Sequence, residues 1–250
     1  MHSVRLGLIG LACLLLAAPL ALAAEETLTG GQILSKVDDV FMAPKDKTVT
    51  TTMVLRDKQG NEKTRTLRLE EKGQDKRLTK FLTPKDQKGI AFLSLPGERM
   101  YLYLPAFKKT RRIASHVKNQ RFAGTDFSYE DMEPKRYSEK WNAQRLPDEG
   151  DAYVLELALK PGQTSEYSRI KMWVGQDNFY TRRSEYYDQS QQLYKVMTLS
   201  DIRQQGGYWE AFEKTMQDVR TQHESRMKTD EIKFDTGIPD SHFTEQYLTQ

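Results

Sequence analysis

From residue 49 onward the chain alternates. Val49, Thr51, Met53 and Leu55 interleave with Thr50, Thr52 and Arg56, a period of two that sends successive side chains to opposite faces of a strand. Gln59-Gly60-Asn61 supplies a turn, and Thr64 to Lys72 resumes the pattern with Leu67 and Leu69 on one face and Gly73 at its end. Similar short runs occupy 76–83, 90–95, 99–104, 151–160, 167–174, 179–188, 193–204 and 224–234. Pro84, Gly89, Pro96-Gly97, Pro105, Gly150, Pro161-Gly162, Gly175 and Gly206-Gly207 punctuate them. About ten strands joined by tight turns predict an antiparallel meander whose apolar face must be covered. Two stretches can cover it. One is a helix over 28–42, where Leu28, Ile33, Leu34, Val37, Val40 and Phe41 recur at helical spacing between a Thr29 N-cap and Pro44. The other is the irregular stretch 115–134. That is little helical area for such a sheet, so a deep concave surface under thin cover is expected. No repeat, low-complexity tract or linker divides residues 24–250, which predicts a single domain.

A leader precedes that domain. Met1 to Arg5 supplies one positive charge, Leu6 to Leu22 has none, and Ala21-Leu22-Ala23 is a small-x-small cleavage site. Residues 1–23 are therefore expected to be a signal peptide cleaved after Ala23, which places the mature protein in the periplasm if the cell is Gram-negative and outside the cell otherwise. The alternatives are an uncleaved membrane anchor, opposed by the alanine-rich end and short apolar run, and lipidation at Cys13, opposed by the apolar residues that follow it. Cys13 is the only cysteine, so a mature chain has no disulfide, thiolate nucleophile or cysteine-ligated metal. A net charge of +3 argues against a strongly basic nucleic-acid binder. No stretch after the leader approaches the ~20 apolar residues of a membrane-spanning helix.

Catalytic signatures are missing. Three histidines follow the leader, at 116, 223 and 242, and none has a second histidine or a carboxylate at metal-ligand spacing except the adjacent His223-Glu224, whose side chains diverge on a strand. There is no Gly-x-Ser-x-Gly elbow and no glycine-rich phosphate loop. The acidic cluster Asp126, Glu130, Asp131 and Glu133 lacks the rhythm of a calcium loop and reads as helix capping plus solvated charge. No enzyme activity, metal or cofactor is expected. Charge is uneven, however. Residues 72–121 hold thirteen Lys+Arg against three Asp+Glu, including Lys108, Lys109, Arg111 and Arg112. That stretch is suited to an anionic membrane surface or an acidic partner, or is a sheet edge guarded by charge.

Three blocks carry a resemblance. They are Leu78 to Pro84 with Lys88-Gly89, Met100 to Lys109 with Arg111-Arg112-Ile113, and Arg121-Phe122-Ala123-Gly124-Thr125-Asp126-Phe127-Ser128-Tyr129-Glu130-Asp131. In this order, and with the ending Ile238-Pro239-Asp240, Phe243 and Leu248, they resemble the bacterial outer-membrane lipoprotein-sorting protein family of the LolA-like superfamily. The resemblance covers nearly all of the mature chain. It implies a mainly β fold with some α of LolA/LolB type, an incomplete antiparallel β-barrel (half-barrel) wrapped around a few helices and enclosing an apolar cavity. It also implies carriage of the acyl chains of lipoproteins or other lipids towards the outer membrane, with an RND-type inner-membrane exporter as donor or acceptor. This chain is longer than the classical lipoprotein carrier, so a cargo other than lipoprotein is open.

Within that frame, the alternation nominates Val49, Met53, Leu55, Leu67, Leu69, Leu93, Leu95, Leu102, Leu104, Leu155, Leu157, Met172 and Val174 as the cavity lining. A one-residue register error would flip any strand, and the same side chains could simply pack on the helix at 28–42. Residues 122–134 are read as a lid, with Phe122, Phe127, Tyr129 and Met132 over the mouth, Gly124 permitting the bend, and Asp126 or Ser128 capping a short helix ended by Pro134. A buried plug fits the same residues. The leading function is a periplasmic lipid carrier. The alternative is a non-carrying adaptor or sensor docked on an RND-type exporter.

Overall fold

The computed structural model describes residues 27–134 and 136–250; the expected leader and its cleavage site lie outside them. The first element is the expected helix, α1 (Gly30–Phe41). Thr29 accepts a hydrogen bond from the Gln32 amide, and the Gln32 side chain accepts from the Thr29 amide, a reciprocal capping box. Its buried stripe is Ile33, Leu34 and Val37. At Gly30 the helix start touches the sheet, where a Cβ would fall 2.5 Å from the Ala143 carbonyl oxygen.

Strands then follow in two runs. The first comprises β1 (Asp46–Arg56), β2 (Glu62–Lys72), β3 (Lys76–Thr83), β4 (Ala91–Leu95), β5 (Arg99–Leu104) and β6 (Lys109–Ile113). An irregular stretch and a one-turn helix, α2 (Tyr137–Lys140), lead to the second: β7 (Trp141–Glu149), β8 (Ala152–Leu159), β9 (Arg169–Gly175), β10 (Thr181–Tyr187), β11 (Leu193–Gln205), β12 (Tyr208–Asp218) and β13 (His223–Phe234). Among the described residues all thirteen form one antiparallel sheet, ordered β6-β5-β4-β3-β2-β1-β13-β12-β11-β10-β9-β8-β7. Each run is a plain meander, and pairing of β1 with β13 joins the two arms along the middle. The sheet is open, with β6 and β7 as its edges.

Three strands, β6, β7 and β12, add to those expected. Both edge strands are mostly exposed, so neither shows apolar alternation. In β12 the inward positions include Glu210, Lys214 and Asp218, and charge on the inside erases the hydrophobic signal.

Register assigns the faces. Leu69 pairs with Val49 and Thr79, and Leu67 with Phe81; Thr79 pairs with Phe92. The concave face of this arm therefore carries Met53, Leu67, Phe81, Phe92 and Met100, which form one buried cluster with Phe122 and Tyr129. The convex face of β3 to β5 is covered as well: Leu78, Ala91 and Leu93 pack against Ile238, Phe243 and Leu248 of the C-terminal segment. Asp46 holds that segment in place, its carboxylate accepting from the amides of Thr236 (2.8 Å) and Gly237 (2.9 Å). In the second arm, α1 lies on Leu155, Leu157, Ile170, Met172 and Val174.

Candidate functional site

Between α1, α2, the sheet and residues 122–134 lies a cavity of about 280 Å³. Six methionines line it, Met42, Met53, Met132, Met197, Met216 and Met227, together with aromatic rings that include Phe41, Phe122, Phe127, Tyr137, Trp141 and Tyr186. Unbranched thioethers repack at small cost, so such a wall accepts apolar guests of different shape. The volume sits at or below the low end of ordinary ligand pockets, so a long acyl chain would need the walls to give way.

The nominated residues divide. Met53, Leu67 and Leu69 line the cavity, as do Phe122, Phe127 and Met132. Val49 shares the face of its cross-strand partner Leu69 and is half-buried. Leu55 is buried in the first arm's cluster, and Leu102 packs against it; Leu104, half-buried, shares the Leu102 face at the sheet edge. Two corrections follow. Leu93 and Leu95 face the opposite side, in the C-terminal cluster, because β4 is buried on both faces and its alternation carries no direction. Leu155, Leu157, Met172 and Val174 sit beneath α1 and leave the open cavity to their neighbours. Met42, Met197, Met216 and Met227 line the cavity without being nominated by strand alternation; a methionine content of nine is the signal that points to them.

The stretch 122–134 is a plug, not a cover over the mouth. Phe122 is 1% exposed, with ring centroids 5.8 Å from Phe81, 5.4 Å from Phe92 and 5.9 Å from Tyr129. Phe127 touches the apolar clusters of both arms. Gly124 takes φ 74°, which a side chain would strain. The expected short helix is a turn instead, with the Ser128 amide donating to Asp131 (2.8 Å) and the Asp131 amide to the Ser128 hydroxyl (3.2 Å).

The acidic cluster is not solvated charge. Asp126 is fully buried, and its Oδ2 lies 2.7 Å from both His223 Nδ1 and Ser225 Oγ. The Asp126 amide in turn donates to Ser225 Oγ (2.9 Å). Serine, histidine and aspartate thus meet, but both partners are bonded to one carboxylate oxygen, and the Ser225 hydroxyl donates to Asp126 rather than to His223. The trio fixes the plug to β13 and is not a catalytic triad, which needs a serine–histidine hydrogen bond. Asp131 accepts from the Tyr167 hydroxyl (2.9 Å) and from Lys195 Nζ (3.3 Å), while Glu130 bonds Lys140, the Ser165 hydroxyl and the Glu166 amide. Burial and the nearby Asp131 carboxylate push Glu166 up to about 7. Burial works against the Lys195 ammonium, but Asp131 and Glu166 raise its pKa overall. No group of three or more His, Cys, Asp or Glu side chains is placed to hold a metal among the described residues.

A second ionic chain edges the cavity. Lys47 bridges Glu71 (3.0 Å) and Glu210 (3.3 Å), Arg77 bonds Glu71 (2.6 Å), and Lys214 bonds Glu210 (2.6 Å). Against the cost of burial, Arg77 and Lys47 hold Glu71 down at about 2, and Lys214 and Lys47 do the same for Glu210. The site is therefore amphipathic: a methionine and aromatic wall meets fully paired charge. Asp38 ties α2 to α1 by accepting from the amides of Tyr137 (2.7 Å) and Ser138 (2.9 Å).

Solved structures share this arrangement. A candidate outer membrane lipoprotein-sorting protein domain from Vibrio parahaemolyticus is 29% identical with a TM-score of 0.79, over 87% of this chain and 98% of that one. A DUF1329 family protein from Desulfovibrio piger is 25% identical with a TM-score of 0.83, over 88% and 97%. A LolA superfamily protein from Nitrosomonas europaea, at 22% identity and a TM-score of 0.74, covers 88% and 100% and shares the fold. No curated protein matches the chain in sequence. The fold is that of the LolA/LolB-like periplasmic lipoprotein-sorting superfamily. A family model described as "Uncharacterized protein" matches residues 73–250, and the chain belongs to that family.

Proposed function

We propose that the protein is a periplasmic carrier that shelters the acyl chains of a lipid or lipoprotein on their way to the outer membrane, with residues 24–250 as one LolA-like domain. The supporting observation is the methionine-lined cavity in a fold shared with a candidate lipoprotein-sorting domain. Each buried methylene contributes about 0.8 kcal/mol, so a chain of ordinary length is held firmly. Release requires walls that yield, which methionines and a polar-anchored plug provide. An RND-type exporter as donor or acceptor rests on the sequence resemblance alone, and none of the three structures above is named for one.

Filling the cavity tests the reading. Leu69 is half-buried in the wall, and Leu69→Trp is expected to abolish uptake of a fluorescent fatty acid by the delipidated protein while the protein remains folded by circular dichroism. Unchanged uptake by the folded variant would place the lipid elsewhere or nowhere.

A further inference from the structure

The strongest surface feature lies away from the cavity, at the turn between β5 and β6. Among the described residues Phe107 is the one large hydrophobic side chain standing exposed, at 65%. It sits in a single turn, Pro105–Phe107, closed by Lys108 in the left-handed conformation. Beyond it run Lys109, Arg111 and Arg112, all exposed. None of these four cations makes an ion pair or side-chain hydrogen bond among the described residues. Elsewhere the surface cations are commonly paired, as in Arg145–Asp148, Arg169–Glu156 and Arg182–Asp151. The loop before β4 adds to the same end: a Cβ on Gly89 would lie 3.6 Å from Pro105, and Lys85 and Lys88 in that loop are exposed.

We propose that this hairpin tip docks the protein on an anionic phospholipid surface, Phe107 entering the headgroup–acyl boundary while Lys108, Lys109, Arg111 and Arg112 meet lipid phosphates. An exposed aromatic ring followed along the hairpin by unpaired cations is the composition of interfacial membrane contacts. Register sharpens the picture. Lys109 pairs with Leu104 and Arg111 with Leu102, so half-buried leucines lie beside cations on the concave face, and apolar and basic groups run together to the open edge. Charge along β6 also discourages addition of a strand from another protein. The proposal does not depend on the cavity holding lipid.

The test is cosedimentation of the mature chain with phosphatidylcholine vesicles prepared with and without phosphatidylglycerol. Binding to the anionic vesicles alone, weakened by salt, is expected. Lys109→Gln with Arg111→Gln should lower the partition constant on the order of thirtyfold, and Phe107→Ser about tenfold. Lys58→Gln with Lys63→Gln, a charge-matched change of exposed residues on the β1–β2 hairpin, should change it less than about twofold. All variants alter exposed side chains, and circular dichroism checks their folding. The proposal is overturned by no binding to anionic vesicles, by equal binding to neutral ones, or by an equal loss in the β1–β2 control. A failure of the carrier reading would instead show as an empty cavity in a protein that still docks.

Discussion

The plug meets the two arms of the sheet by different means. On the first arm, Phe122 and Tyr129 interlock with Phe81 and Phe92, with Met53 and Met100 alongside. On the second, Glu130 and Asp131 reach Lys140, Ser165, Tyr167 and Lys195 through hydrogen bonds and charge. Parting the aromatic contact exposes apolar surface to water, and no change of pH or salt offsets that cost. The polar contact can be exchanged for water, and its strength depends on protonation. The first arm therefore holds the plug mainly by aromatic packing, and the second holds it largely by charge and hydrogen bonds. The cavity lies where the two meet.

The largest effect is expected at the aromatic contact. Phe122→Ala should cost about 3–5 kcal/mol of unfolding free energy, read from denaturant midpoints; a loss below about 1 kcal/mol would show that the aromatic anchor is loose.

The polar side makes a prediction in pH. Glu166 is raised to about 7, so the folded state binds its proton more tightly than the unfolded chain. Its stabilising contribution is complete below the ordinary glutamate range and is lost as pH rises through about 7, a decline on the order of 2–3 kcal/mol. Glu71 and Glu210, depressed to about 2, have the opposite sign: their contribution is present above the ordinary range and fades as pH falls towards 2. Stability should peak near the ordinary glutamate pKa, and Glu166→Gln should flatten the neutral side of the curve. An unchanged neutral slope in that variant would remove the titratable anchor from the account.

Phe127 belongs to the plug, touches both arms and lines the cavity. Phe127→Ala should leave a folded protein that retains severalfold less lipid, measured by extraction after gel filtration; unfolding would instead make the ring a structural strut. The smallest effect is expected at the adaptable wall, where Met216→Leu should shift stability by less than about 1.5 kcal/mol and narrow the range of chain lengths accepted in a competition assay. A broad range kept after substitution would mean that methionine flexibility is not what sets tolerance.

Much of this was legible in the residues. The Thr29 cap, the stripe of α1 and most strands follow from period and punctuation, because one-sided burial writes itself into alternation. The illegible parts have physical causes. β6 and β7 are exposed edges, and β12 turns charge inward. Leu93 points away from the cavity because β4 is covered on both sides, the outer cover coming from Phe243 and Leu248, far away in sequence. The aromatic residues of the plug were visible as a group, but their depth was not. Burial of Asp126 depends on Ser225 and His223, and the half-buried position of Asp131 on Tyr167 and Lys195, partners that only the folded sheet brings near. The cavity was half legible for the same reason: Met53, Leu67 and Leu69 alternate cleanly, while Met216 lies on a strand whose inward charges hid it.

The central claim is that an acyl chain occupies the methionine-lined cavity. Native mass spectrometry of protein taken from the periplasm without detergent, with lipid extraction alongside, tests it most directly. The account predicts a discrete added mass near one lipid per chain that disappears in Leu69→Trp. A chain that is empty as isolated, and stays empty when offered envelope lipids, would contradict it.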